Sequence, residues 1–197
     1  MKLYGNLQAP TTQMILIALA EKGHSAEFVE IDFSKGEQRS DAHRARHPFG
    51  LTPVFEDQHG FVYEARAILR YVDRFLPGPS LTPSAPRDYA LMEQFLGIEQ
   101  GYFTPNIMVH FYAKFLGRTR DPEELQRATA AAAQALDVVE ANLDRSPFLA
   151  GESFSLADIA WTPYLRITHA TGHGGLLQER PRVNDWAERI LARPSSR

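Results

Sequence analysis

Between residues 76 and 85 the chain carries three prolines and a glycine with neither helical nor strand periodicity, and the patterns on the two sides of this break differ in kind. Upstream, a strand over 2–5 ends at Gly5, a polar loop follows over 6–10, and Ile15, Leu16, Leu19 and Ala20 recur at helical spacing until Gly23. Thr11 or Thr12 can cap that helix. A strand over 26–31 completes a βαβ unit, which calls for a parallel pair and a covering helix. After a polar segment rich in charge and Ser, 54–57 and 61–63 read as a hairpin around Gln58-His59-Gly60, and a helix over 64–75 closes the series. Downstream only helices are expected, over 87–116, 122–143, 155–168 and 181–192. The expected protein is an α+β two-domain chain: an α/β domain over 1–76, a linker over 77–86 and an all-helical domain over 87–197.

An apolar share of 44% fits a full globular core and excludes disordered and fibrous classes. The longest apolar run falls well short of the ~20 residues of a membrane span, and no basic stretch leads into an apolar core and cleavage site. A soluble cytoplasmic protein without a membrane role is expected. The chain has no cysteine, so structural disulfides, thiolate metal sites and a cysteine nucleophile are excluded, and the sulfur of any thiol chemistry must arrive with a ligand. A net charge of −3 with scattered Lys and Arg argues against nucleic acid as a partner. Among seven His, His169 and His173 are the pair that could suggest a metal site, and the glycines around them favour a flexible post-helix loop instead. No metal is expected.

Three local patterns carry more information. In Arg46-His47-Pro48-Phe49-Gly50-Leu51-Thr52-Pro53-Val54-Phe55-Glu56-Asp57, a proline stands just before a strand, where it cannot donate to a ladder and a cis bond would make a sharp turn. Glu64 opens the helix containing Glu64-Ala65-Arg66-Ala67-Ile68, whose free N–H groups favour a carboxylate; Glu64 could also simply stabilise the first turn. Ser155-Leu156-Ala157-Asp158 is a capping box, a structural device rather than a catalytic pair, whose loss should cost on the order of 1 kcal/mol or more.

These patterns, with Leu16-Ile17-Ala18-Leu19-Ala20-Glu21-Lys22-Gly23, Phe148-Leu149-Ala150-Gly151 and the stretch from Glu179 to Trp186, resemble the cytosolic glutathione transferases, phi-like members above all, across essentially the whole chain. The resemblance implies a thioredoxin-like N-terminal domain, an all-α C-terminal domain, a homodimer, and glutathione as co-substrate. It places the cysteinyl backbone of glutathione on Thr52 before a cis Pro53. The γ-glutamyl ammonium falls to Glu64, its carboxylate to the position of Ala65, and the glycyl carboxylate to Gln38 and Arg39, which could otherwise belong to a solvated loop.

A thiol of pKa about 8.5 must be brought down, and one hydrogen bond to the thiolate is worth roughly one to two pKa units. The phi-class serine that provides it aligns with Ala9, and Leu51 and Ala65 replace two further polar contacts. Ala9-Pro10-Thr11-Thr12 is similar to the nu-class loop, which makes Thr11 the candidate thiolate contact, with Thr12 beside it; either can equally be a helix cap. Tyr4 is read as core. By the same resemblance a hydrophobic electrophile sits between the domains, against Tyr102, Met108, His110, Phe111, Tyr112, Trp161 and Tyr164. An ending at Arg197, without the tail that relatives often add, implies a more open acceptor site. The expected activity is conjugation, or glutathione-dependent isomerisation, reduction or dehalogenation, in a detoxification role. The alternatives are a non-conjugating dehydratase, lyase or isomerase on the same scaffold, and a binding module without turnover.

Overall fold

A computed structural model describes residues 1–196, which form two compact units, one over Met1–Leu81 and one from Thr82 onward. The first is built on a four-stranded sheet of order β2-β1-β3-β4, with β1 at Lys2–Gly5, β2 at Glu27–Glu30, β3 at Val54–Asp57 and β4 at Gly60–Tyr63. β1 and β2 run parallel, as the intervening helix requires, and β3 lies antiparallel to both β1 and β4. Helix α1 (Pro10–Glu21) and helix α3 (Ala65–Phe75) pack together and contribute Met14, Ile15, Ile17, Ala18, Leu19, Ile68, Leu69 and Val72 to the core. The buried face of α1 is therefore rotated from the expected one: Leu16 is only half-buried and Ala20 is exposed. Tyr4 is core as expected, grouped with Ile31 and Val54. The polar segment between β2 and β3 forms two 3₁₀ turns, Phe33–Lys35 and Glu37–Arg39, and the short helix α2 (Asp41–Arg44), capped by the Ser40 hydroxyl.

This unit extends beyond the expected boundary at 76. Buried Lys22 pairs with Asp73 at 3.2 Å, Lys22 also donates to the Pro79 carbonyl at 3.0 Å, and Asp73 accepts from the Leu81 N–H at 2.8 Å. Proline-rich chain that reads as linker by composition is thereby fastened to the first unit.

The second unit is helical: α4 (Pro86–Ile98), α5 (Thr104–Phe115), α6 (Pro122–Asn142), α7 (Leu156–Ala170), α8 (Gly175–Gln178) and α9 (Pro181–Leu191). The single helix expected over 87–116 is interrupted by a π-helical turn at Glu99–Phe103. Pro105 has no N–H for the carbonyl four residues back, and the ladder widens just ahead of it, with Thr104 N–H on the Glu99 carbonyl. The capping box at Ser155 and Asp158 is present: fully buried Asp158 accepts from Ser155 N–H (2.9 Å), Ser155 Oγ (2.9 Å), Leu149 N–H (3.1 Å) and Trp186 Nε1 (2.9 Å). Burial pushes its carboxyl up, and these four donors pull it back toward the ionised form.

The turn after α7 is not the loose loop expected around His173. That ring packs on His110 with centroids 4.0 Å apart, its Nδ1 lies 3.1 Å from Thr171 Oγ1, and α8 begins soon after. No group of three or more metal-ligating side chains occurs among the described residues, and no helix there is long and apolar enough to cross a membrane.

Candidate functional site

The register of the sheet gathers the candidate residues of the first unit at one end. β1 pairs Tyr4 with Val54, and β3 pairs Val54 with Tyr63. The residues one step further out are therefore Gly5, leading into the 6–10 loop, Pro53, and Glu64. Helices α1 and α3 both start from this end, so their unsatisfied N–H groups and positive dipole ends face the same region. Neither helix has an acidic residue in its first turn.

At α1 the cap is Ala9, in extended conformation, and Pro10 takes the first helical position. Thr11 and Thr12 are thus inside the first turn and cap nothing, contrary to the sequence expectation. The N–H groups of Thr12 and Gln13 both reach the Ala9 carbonyl, at 3.0 and 3.1 Å. Pro10 has no N–H, which leaves the backbone N–H and hydroxyl of half-buried Thr11 as the donors of this helix start. Thr12 lies deeper: it is fully buried, its Oγ1 has no partner, and a Cβ added to Gly5 would come within 2.6 Å of that oxygen. Glycine at position 5 is what lets the first strand pass so close to Thr12, which gives Thr12 a packing position.

The peptide bond between Thr52 and Pro53 is cis. Glu64, at the start of α3, adopts φ 70° and ψ 113°, a left-handed conformation unusual for a residue with a side chain, of the kind that collects at binding sites. Its side chain is exposed, while Ala65, the first residue of the helix, is buried. Gln38 is half-buried with Oε1 turned inward and unpartnered, and Arg39 is exposed.

Two histidines that the sequence reading passed over lie behind these residues. His43 and His47 are 1% and 2% exposed. His43 Nε2 lies 2.7 Å from the Leu51 carbonyl and must donate, because a carbonyl only accepts. The His47 ring stands 4.7 Å from Tyr63 and 6.2 Å from Phe49, and burial holds it below its ordinary pKa of 6.5 while the Glu64 carboxylate pulls it up. Their four-residue spacing was the available signal.

In the second unit the residues expected to form an acceptor pocket separate into two groups. Trp161 and Tyr164 are core: Trp161 stacks on Phe103 at 4.6 Å and donates Nε1 to the Phe95 carbonyl at 3.1 Å, and Tyr164 is 3% exposed. Pro163 and a run of small and apolar neighbours bury almost all of α7, so their burial supplies packing rather than a pocket wall. His110 is also buried, its Nε2 3.1 Å from Thr129 Oγ1; that hydroxyl gives its own proton to the Leu125 carbonyl, so the imidazole donates. Met108, Phe111 and Tyr112 are half-buried. Tyr102 is exposed and lines a cavity of about 350 Å³ with Ile98, Asn106, Gln134 and Val138.

A β-α-β-α-β-β-α unit followed by an all-helical one defines a two-domain class with a thioredoxin-like first domain. The N-terminal domain model of glutathione S-transferases matches residues 1–74, and the C-terminal domain model matches residues 122–189. Glutathione S-transferase F7 of Arabidopsis thaliana is 32% identical over 202 residues, covering 100% of this chain and 97% of its own. A glutathione S-transferase of Silene vulgaris is 34% identical over 203 residues, covering 98% and 94%. Glutathione transferase F7 from Populus trichocarpa superposes with a TM-score of 0.92 at 28% identity, over 99% of this chain and 95% of its own. Glutathione S-transferase-I bound with lactoylglutathione gives 0.90 at 28% identity, over 99% and 95%. The chain belongs to the glutathione S-transferase family, in its phi-like branch, and is a glutathione transferase.

Proposed function

We propose that this transferase uses the glutathione thiolate as nucleophile on a hydrophobic electrophile, with the α1 start as its thiolate site. The observation that carries the reading is the pair of donors at Thr11: a hydroxyl and a free N–H at a helix N-terminus, at the same sheet end as Thr52, Pro53 and Glu64. A thiolate there gains from hydrogen bonds and from the helix dipole, and both favour the charged sulfur over the neutral thiol. Thr12 takes no part, since its hydroxyl is enclosed beneath Gly5.

The remaining assignments follow the chemistry of each end of the tripeptide. The Thr52 backbone pairs with the cysteinyl backbone, Glu64 meets the γ-glutamyl ammonium, and the Ala65 N–H at the start of α3 donates to the adjoining carboxylate. Gln38 and Arg39 take the glycyl carboxylate, Arg39 with a charge-assisted bond. No metal enters this chemistry. For the acceptor, the half-buried apolar and aromatic side chains Met108, Phe111 and Tyr112, with exposed Tyr102, favour a hydrophobic compound. The physiological setting we propose is cytoplasmic detoxification by a homodimer. Exposed Phe49 (75%) and Leu51 (55%), with the apolar cavity beside Tyr102, support self-association, which would cover such surface.

Calorimetric titration with glutathione, combined with ultraviolet thiolate absorbance across pH, tests the central claim. Binding with a thiol pKa well below about 8.5 is the expected result. No binding at millimolar glutathione removes the proposal and turns attention to a glutathione-free activity, which the apolar residues Ala9, Leu51 and Ala65 would then favour.

A further inference from the structure

Two stretches of the first unit that are remote in sequence from the thiolate site are locked to each other by contacts that the proposed clamp does not use. The Glu37–Arg39 turn carries Gln38 and Arg39, and it runs directly into α2 through Ser40. Ser40 Oγ donates to the Glu37 carbonyl at 2.8 Å and accepts the His43 N–H at 3.2 Å, so turn and helix move as one piece. From that piece His43 reaches across to the Leu51 carbonyl at 2.7 Å, one residue before Thr52. Beside this bond Gly50, at φ +63°, lies against the Gln38 backbone so closely that an added Cβ would stand 2.7 Å from the Gln38 carbonyl oxygen. The buried Nδ1 of His43 has no partner, so the ring is held from one side only, by the bond to Leu51. A side chain 1% exposed with half its hydrogen-bonding capacity unused is a costly way to fill space, and an apolar residue would fill it without that cost.

We infer that His43 is a positioning residue: it sets the spacing between the Gln38–Arg39 segment and the Thr52 backbone, and so lets the enzyme distinguish glutathione from a ligand without the glycyl residue. This inference rests on the glutathione reading above. The tripeptide is gripped at its glycyl end by the first segment and at its cysteinyl backbone by the second, and both grips hold only if the segments keep their separation. With Leu51 in place of an amide side chain, placement of the backbone carries more of that grip. The γ-glutamyl end and the thiol, held by α3 and α1, lie outside the strut.

The test compares glutathione with γ-glutamylcysteine, by calorimetry, on the wild type, His43→Leu and His43→Gln. The wild type should favour the tripeptide by about 10- to 100-fold, the range expected for a hydrogen-bonded charge. In His43→Leu that preference should fall below about threefold, with γ-glutamylcysteine affinity and the thiol pKa of the bound ligand unchanged; His43→Gln, whose amide N–H can replace Nε2, should restore most of it. Should His43→Leu not fold, Ser40→Ala loosens the same strut at an exposed position and should lower the preference about threefold. Equal weakening of both ligands, an unaltered preference in every variant, or no preference in the wild type overturns the positioning role while leaving the glutathione site standing. A wild type that binds neither ligand refutes the glutathione reading, and this inference with it.

Discussion

Replacing Thr11 by alanine should raise the pKa of enzyme-bound glutathione by about one unit. The helix start has few donors: Pro10 has no N–H, and those of Thr12 and Gln13 are taken by the Ala9 carbonyl at 3.0 and 3.1 Å. Two donors remain for a thiolate, the N–H and the hydroxyl of Thr11. A hydrogen bond to a charged group is worth about 1.5–3 kcal/mol, or roughly one to two pKa units at 1.36 kcal/mol each. Starting from about 8.5, the pair at one unit each should bring the bound thiol to about 6.5, with the helix dipole acting in the same direction. Thr11→Ala removes one donor and leaves the other, so a bound pKa of about 7.5 is expected, with about a threefold loss of thiolate at pH 7. The readout is ultraviolet thiolate absorbance of the complex across pH, with kcat/KM for an activated chloroaromatic acceptor falling in parallel. Thr11→Ser should behave like wild type, and Thr11→Pro, acceptable in a first helical turn, should raise the pKa by removing both the N–H and the hydroxyl. An unchanged bound pKa in Thr11→Ala would refute the reasoning, because a hydroxyl touching the sulfur cannot be removed without cost to the thiolate.

Asp158→Ala should destabilise the helical unit by about 4 kcal/mol, since it strands the buried N–H groups of Leu149, Ser155 and Trp186; a shift below about 1 kcal/mol in urea unfolding would contradict the network. Thr12→Val should be neutral or stabilising by up to about 1 kcal/mol, because Thr12 Oγ1 has no partner to lose, and glutathione affinity should not change; a loss of turnover in this variant would return Thr12 to the site. Stability should also fall with acidity through the His110 and His173 pair. Burial holds both below the ordinary 6.5, each further lowered by a neighbouring cation, His173 for His110 and Lys114 for His173, against a Thr171 backbone bond that raises His173. Unfolded chains therefore take up protons first as pH drops through about 6.5, and stability present above that value is lost below it, by at most about 1.4 kcal/mol per pH unit for each ring. Thermal melts of His173→Gln between pH 7.5 and 5.5 should be flatter than wild type, and parallel curves would count against the pair.

Features written in one contiguous stretch were legible, and features made by distant meetings were not. The strands, the hairpin, α6, α9 and the Ser155–Asp158 box each depend on residues a few positions apart, so spacing was enough, while the cis bond at Pro53 was implied by the family resemblance. The Lys22–Asp73 pair spans 51 positions, and without it the chain over 77–81 reads as a free linker. Trp161 and Tyr164 failed as pocket residues because aromatic density says how much surface must be buried, not which neighbour buries it. Thr11 and Thr12 failed as caps because a proline at the preceding position already supplies the first helical turn, a local signal that polar side chains nearby obscured. Pro105 was a comparable signal for the π turn in the helix expected to run unbroken.

The site itself shows why side-chain comparison made its chemistry hard to read. Ala9, Leu51 and Ala65 stand where polar side chains are expected, which on that basis argues for a lost function. Yet several of the groups proposed to meet the ligand, the Thr11 N–H, the backbone of Thr52 and the Ala65 N–H, do not depend on the side chain at their positions, and they act beside the Thr11 hydroxyl and the side chains of Glu64, Gln38 and Arg39. What does depend on sequence is the support that holds this backbone in place: Gly5 admitting Thr12, Glu64 at φ 70°, and His43 bonded to Leu51. Substitutions among these supports should therefore alter glutathione recognition more than substitutions at Leu51 or Ala9, an ordering opposite to the one a count of missing polar contacts would give.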